Sequence, residues 1–265
     1  MSRYPSRIVC LTEETTETLY LLGEQDRIVG ISGYTVRPPQ ARREKPRISA
    51  FISAKIDAII ALKPDLVLGF SDLQADIAMK LVRAGLDVHI FNQRTVDGIL
   101  NMITVLGAMV GAYDKANALV AHYQANIDTM RADAGKMETR PQIYFEEWHD
   151  PMISGIGWVS ELIEIAGGTD CFKELAGASL AKDRIIADAN EVIRRQPDII
   201  VGSWCGKKFQ PKQVRQRPGW DAIPAVRDGA LFEIKSCDIL QPGPAALTDG
   251  LAALHRIVQD WTARQ

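Results

Sequence analysis

No stretch of 18 apolar residues occurs in these 265 residues, so no segment reads as a membrane-spanning helix. Charge of one sign is lacking too. A formal net charge of −2 gives no reason to expect nucleic acid or an anionic membrane as the main partner, because those demand a basic surface. Cysteine is sparse: Cys10, Cys171, Cys205 and Cys237 are scattered, with no CxxC or other metal-ligand spacing. They read as free thiols, since a chain of this size needs no disulfide staple. Histidine is equally dispersed, with His89, His122, His149 and His255 on separate elements, which argues against a His-rich zinc or manganese site. No GxSxG, HExxH, Walker A or GxGxxG occurs, and ISGIGWVSE holds only a GxG. The amino terminus, MSRYPSRIVCLTEET, has no apolar h-region, so the chain reads as a cytoplasmic protein or as one whose leader has been removed.

What is present is a repeat. Residues 56–72, IDAIIALKPDLVLGFSD, recur as ANEVIRRQPDIIVGSW at 189–204, with Pro64 and Pro197 offset by 133 positions and Asp65/Asp198, Gly69/Gly202 and Ile60/Ile193 in register. Each copy reads as a helix, a Pro-Asp turn and a buried strand. Proline ends the helix because it lacks a donor and disfavours α geometry in the residue before it. The apolar runs Leu66-Val67-Leu68 and Ile199-Ile200-Val201 suit parallel strands covered on both faces. One α/β half appears twice, and function is expected between the halves.

Around the first copy the pattern predicts strands over 7–11, 28–32 and 86–91 and helices after Thr12 or Thr15 and over 73–84. Residues 33–49, rich in Pro and Arg, read as a long loop with a binding role. Residues 96–136 form one or two long helices without a strand. The second half opens with strand QIYFEE from 142, then helix WVSELIEIAGG, the second copy, strand ALFEI (230–234) and a closing helix over 245–263. The expected architecture is α/β: two Rossmann-like lobes of parallel sheet flanked by helices (1–94 and 139–265), joined by a long helix (95–138), with a ligand cleft between the lobes.

In open parallel sheets the binding crevice lies beyond the carboxyl ends of the strands. Those ends supply Tyr34, Arg37, Phe70, Glu147, Trp148, His149, Trp204 and Gln241, with Trp158 opening a helix. Aromatics make up only 7% of the chain, yet they follow several of these strand ends, as the walls of a site for a flat, largely apolar ligand would. The ordinary alternative for Phe70, Trp158, Trp204 and Trp220 is core packing. Glu146, Glu147, His149 and Cys205 would make a metal site or a Cys/His pair only if they converge, and no spacing enforces it. The basic run KKFQPKQVRQR (207–217) and ARREKPR (41–47) read as solvated loops, or as anion-favouring patches if they face the cleft.

This organisation resembles the helix-backbone class of ABC-transporter substrate-binding proteins, the class III periplasmic binding proteins. Within it the chain is most similar to the cobalamin-binding branch, with iron-siderophore and haem binders close behind. The residues carrying the likeness are ISGYTVRPPQA (31–41), IDAIIALKPDLVLGF (56–70), ISGIGWVSELIEIAGG (153–168) and QPDIIVGSWC (196–205). The resemblance implies a non-catalytic protein with no resident cofactor or metal; the sequence carries no oligomeric signal, so a monomer is the default expectation. It would hold a cobalamin-type corrinoid, or an iron-siderophore or haem, and deliver it to an ABC permease. Tyr34 and Phe70 would form one wall, Trp148 and Trp204 the other. It also implies a periplasmic setting. Two departures stand against this: there is no apparent signal sequence, and the second-lobe docking region is basic where transport-linked members carry an acid, Asp72 or Asp76 serving in the first. The reading of another class is a cytoplasmic cofactor chaperone or enzyme using Glu147, His149 and Cys205.

Overall fold

The computed structural model describes residues 3–265 and divides the chain into two units, Met1–Gln93 with Asp97–His122, and Arg94–Val96 with Tyr123–Gln265. In the first, strands β1 (Ile8–Cys10), β2 (Ile28–Ser32), β3 (Arg47–Ser49), β4 (Leu66–Phe70) and β5 (Val88–Phe91) form one parallel sheet in the order β3-β2-β1-β4-β5. Every crossover between these strands carries helical residues, which cover the sheet. Val9, Leu11, Ile48, Ile59, Val67, Ile77 and Leu81 make one continuous core between sheet and helices. The strand order reverses direction between β1 and β4, so the carboxyl edge there is a topological switch point.

β3 and the short helix Ala41–Glu44 occupy the stretch read as a loop. Ile48 is the reason, being a buried apolar residue among charged neighbours. Three residues are too few to show alternation, which is why sequence alone passed over them. Likewise the helical stretch after β5 is two helices, Val96–Met109 and Tyr113–Ala134, separated at Gly111, whose φ of +75° ends the first. The second helix, 22 residues and about 33 Å long, contains the boundary between the two units.

The second unit is built on β6 (Gln142–His149), flanked by β7 (Met152–Ser154), β8 (Thr169–Asp170), β9 (Ile199–Gly202) and β10 (Leu231–Glu233), with the main order β10-β9-β6-β7. β6 runs to His149 because each of its halves finds a partner. Gln142 and Ile143 pair in parallel with β8, while Glu146, Trp148 and His149 pair with Ser154, Ile153 and Met152 of antiparallel β7. The sheet is therefore parallel with one antiparallel strand added. A register shift between Glu146 and Trp148 marks a bulge, a device that re-aims side chains at a sheet's edge. The closing helix, Leu251–Thr262, follows a π-helical turn over Ala246–Gly250.

The repeat is matched in atomic detail. Lys63 and Gln196, each preceding the repeated proline, share the left-handed conformation at φ 48° and 44°. Asp65 accepts hydrogen bonds from the Ser6 and Arg7 N–H groups, both at 2.8 Å, and its own N–H donates to Arg7 O at 3.0 Å. Asp198 does the same with Gln142, accepting its N–H and donating to its carbonyl, each at 2.8 Å. The repeated Pro-Asp thus hooks each copy's strand, β4 or β9, to the starting end of its own unit's first strand. Gly69 and Gly202 are equivalent for another reason, close approach. A Cβ on Gly202 would lie 1.9 Å from a Phe209 ring carbon, and one on Gly69 2.7 Å from Gln74 Oε1.

Candidate functional site

At the carboxyl edge of the second sheet, β6 and the turn after β9 bring three of the expected residues together. His149 stacks on Trp204 with ring centroids 4.3 Å apart and planes 25° apart, and Trp148 lies 4.9 Å from His149. The Lys207 ammonium caps the group, with Nζ 3.0 Å from His149 Nε2 and 5.9 and 5.7 Å from the Trp148 and Trp204 ring centroids. A lysine has only donors, so Nε2 is the acceptor and Nδ1 carries the proton. Burial, and then the Lys207 charge, pushes His149 below the usual histidine range, so its ring is neutral at pH 7.

Beneath the rings lies an ion pair that sequence reasoning missed. Glu146 is 0% exposed and accepts from Trp204 Nε1–H (2.9 Å), Tyr144 Oη–H (2.8 Å) and both terminal nitrogens of Arg217 (2.6 and 3.0 Å). Arg217 in turn lies 4.4 Å over the Trp220 ring. Burial, followed by the Glu146 charge, holds the Tyr144 phenol well above its ordinary value, so it remains a donor. A buried carboxylate needs such partners. The period-two spacing of Tyr144 and Glu146 on one strand was the available signal. Arg217 corrects the reading of 207–217 as a solvated loop: Lys207, Lys208, Lys212 and Arg215 are exposed, whereas Arg217 turns inward.

Trp204 itself is 2% exposed, so it backs the imidazole. Glu147 is committed to Arg184, a 2% exposed guanidinium at 2.7 and 3.2 Å that also donates to Ser154 O. Trp158 is 3% exposed and its indole N–H donates to Ile239 O at 2.9 Å, placing it in the interior of the second unit. Gln241 is half-buried in the turn before the π-helical segment, its carbonyl accepting from Gly243 N–H at 2.8 Å. Cys205 is an exposed free thiol. Among the described residues no group of three or more His, Cys, Asp or Glu could hold a metal ion, so Glu146, Glu147, His149 and Cys205 do not converge on one.

In the first unit Tyr34 stands 65% exposed after β2, and Phe70 ends β4 with its ring buried. Arg37 pairs with Glu17, Nε to Oε1 at 2.9 Å. The unexpected feature is the switch-point turn after β1. Thr12 makes no capping bond to the helix backbone; its hydroxyl donates instead to Glu14 Oε1 at 2.5 Å. Glu13 accepts the Val36 N–H at 2.9 Å. Glu13, Glu14 and Glu17 are all buried. Burial pushes the Glu13 carboxyl up to about 8 and that of Glu14 to about 7. Three glutamates within five residues directly after a strand were the signal for this.

Among the described residues no helix is long and apolar enough to cross a membrane. A family model described as periplasmic binding protein matches residues 8–237. The uncharacterized ABC transporter substrate-binding lipoprotein YvrC of Bacillus subtilis is 24% identical over 274 aligned positions, spanning 100% of this chain and 83% of that protein. The vitamin B12-binding protein of Vibrio parahaemolyticus is 24% identical over 244, spanning 91% and 85%. Among solved structures, the periplasmic heme-binding protein RhuT from Roseiflexus sp. RS-1, in its apo form, superposes with a TM-score of 0.80 at 23% identity, over 96% of this chain and 99% of that one.

Proposed function

Since this chain belongs to the periplasmic binding protein family, we propose that it binds a flat metal chelate, foremost a cobalamin-type corrinoid, and hands it unchanged to an ABC importer. The observation that carries this reading is the His149, Trp148, Trp204 and Lys207 cluster at the carboxyl edge of β6 and β9. The half-buried Trp148 and His149 rings, backed by the buried Trp204, offer a flat apolar ligand contact area, and the ammonium and imidazole offer a few oriented polar groups. Tyr34 gives the first unit an exposed ring of its own. The names of the relatives support the same class of cargo, since one is a vitamin B12-binding protein and one a substrate-binding lipoprotein of an ABC transporter.

A haem is the second reading, favoured by the neutral imidazole, a ring suited to face a metal. Catalysis is the less supported alternative, because His149 is engaged by Lys207 and Trp204, and the nucleophile it would need is not within its hydrogen-bonding partners. Titration with cyanocobalamin, haem and a ferric siderophore, followed by tryptophan fluorescence and calorimetry, tests the proposal. Saturable one-to-one binding of cyanocobalamin is the expected result. Binding of haem alone replaces the corrinoid with the second reading, and no heat with any of the three refutes the proposal.

A further inference from the structure

We propose that Glu13 is a proton-operated latch on the segment 34–37: its neutral carboxyl holds the Val36 N–H against the switch-point turn, and ionisation releases the segment. Because the segment carries Tyr34, the consequence for cargo rests on the proposed function. The latch itself is measured without cargo, so the two can fail separately.

Little else holds the segment down. It belongs to no helix or strand. Tyr34 is 65% and Val36 37% exposed, so these side chains bury little apolar surface. Thr35 is buried, but its hydroxyl finds no hydrogen-bond partner among the described residues, which weakens that anchor. Two carboxyls of the helix Glu13–Leu21 make the connection. Glu13 Oε2 accepts the Val36 N–H and Glu17 Oε1 accepts the Arg37 Nε–H, each at 2.9 Å.

The two carboxyls differ in what faces them. Glu17 meets a guanidinium. Glu13 meets a neutral N–H through Oε2, while its Oε1 is buried without a hydrogen-bond partner among the described residues. Ionisation would place charge on an oxygen that neither water nor a donor solvates, so the folded arrangement suits the protonated acid. The neighbouring charges are Glu14 and Glu17 of the same helix, which oppose ionisation, and Arg37 of the facing segment, which favours it. At the end of β1 the buried Cys10 thiol, pushed up to about 12, is neutral. Burial outweighs Arg37, and the proton stays on Glu13 up to about 8. With the segment swung away the carboxyl reaches water and titrates near its ordinary 4.5. The closed form therefore binds the extra proton between pH 4.5 and 8, and closure weakens by about tenfold per pH unit as pH rises through that window.

Amide hydrogen exchange of the intact protein at pH 6 and pH 8, corrected for intrinsic base catalysis, tests the latch. Protection of the Val36 amide should fall by at least about tenfold between the two values. At both it should stay below that of Leu11, whose N–H donates to Leu68 O at 2.8 Å inside the sheet. Glu13→Gln keeps an acceptor for Val36 and removes the titrating proton, so its fall should shrink to less than about threefold. Unchanged protection in the native protein overturns the proposal, and this measurement decides by itself if the variant does not fold. A fall that survives Glu13→Gln overturns it too. So does equal protection of Val36 and Leu11, because the segment would then open only when the sheet does.

Discussion

Arg217→Met removes the cation from the most buried ion pair at the site. Glu146 would keep two neutral donors, Tyr144 and Trp204, but no opposing charge, in a position with 0% exposure. Breaking a buried pair by deleting one partner costs about 3 to 5 kcal/mol. The two surviving hydrogen bonds and the 17% exposure of the Arg217 side chain place this case at the lower end, about 3 kcal/mol. Losing the guanidinium over the Trp220 ring adds about 0.5 to 1 kcal/mol. Pairing Arg217→Met with Glu146→Gln removes both charges, and the double variant should be more stable than Arg217→Met alone. The coupling in the cycle should reach about 2 kcal/mol. Urea denaturation followed by circular dichroism and tryptophan fluorescence measures all four proteins. Single-variant losses that simply add, within about 0.5 kcal/mol, would refute the reasoning that Arg217 is what permits Glu146 to be charged and buried.

Glu13→Gln should flatten the alkaline side of the stability profile. The folded carboxyl titrates at about 8 against an ordinary 4.5, so the folded state holds a proton that the unfolded chain releases, and native stability falls as pH rises from 4.5 to 8. The variant should gain on the order of 3 kcal/mol at pH 8 and little at pH 5, read from thermal melts at the two values. Gly202→Ala should cost about 1 to 3 kcal/mol and alter tryptophan emission, because the new methyl meets the Phe209 ring that packs edge-on against Trp204 at 5.2 Å. Asp65→Ala should cost about 1 kcal/mol at pH 7. Burial works against this carboxylate, but the Ser6 and Arg7 donors outweigh it and hold it below its ordinary range. Its contribution is thus present above pH 3.8 and lost on acidification, so wild type and variant should converge in acid denaturation.

The doubled Pro-Asp turn was legible because helix, breaker and apolar run each leave a local mark, and the duplication doubled the signal. β3 and β7 were not, since three-residue strands are created by a neighbouring strand more than by their own composition. At the site, Trp148 and His149 could be nominated from position alone: they follow a strand and are too polar as a group for a core. What sets their geometry could not. The pairing of Glu146 with Arg217 joins residues 71 apart in the chain, and neither a lone glutamate in a strand nor one arginine in a basic run reveals which buried partner it meets. Trp204 and Trp158 show the converse limit. Their places in the sequence do not reveal that each indole N–H meets a buried acceptor, Glu146 for Trp204 and the Ile239 carbonyl for Trp158.

The two aspartate hooks bear on how such a protein diversifies. Asp65 and Asp198 fasten each unit at the end where its strands begin, while the residues nominated for ligand recognition sit where strands finish. Mutation at the finishing edge leaves the fastening untouched. A duplicated half can therefore accumulate new side chains, a buried acid cluster in one copy and an aromatic–imidazole group in the other, under little penalty to the fold that carries them. For the same reason, exchanging the segments after β1 or β6 with those of a relative is a workable route to altered cargo, whereas exchanging the turns that bear the hooks is not.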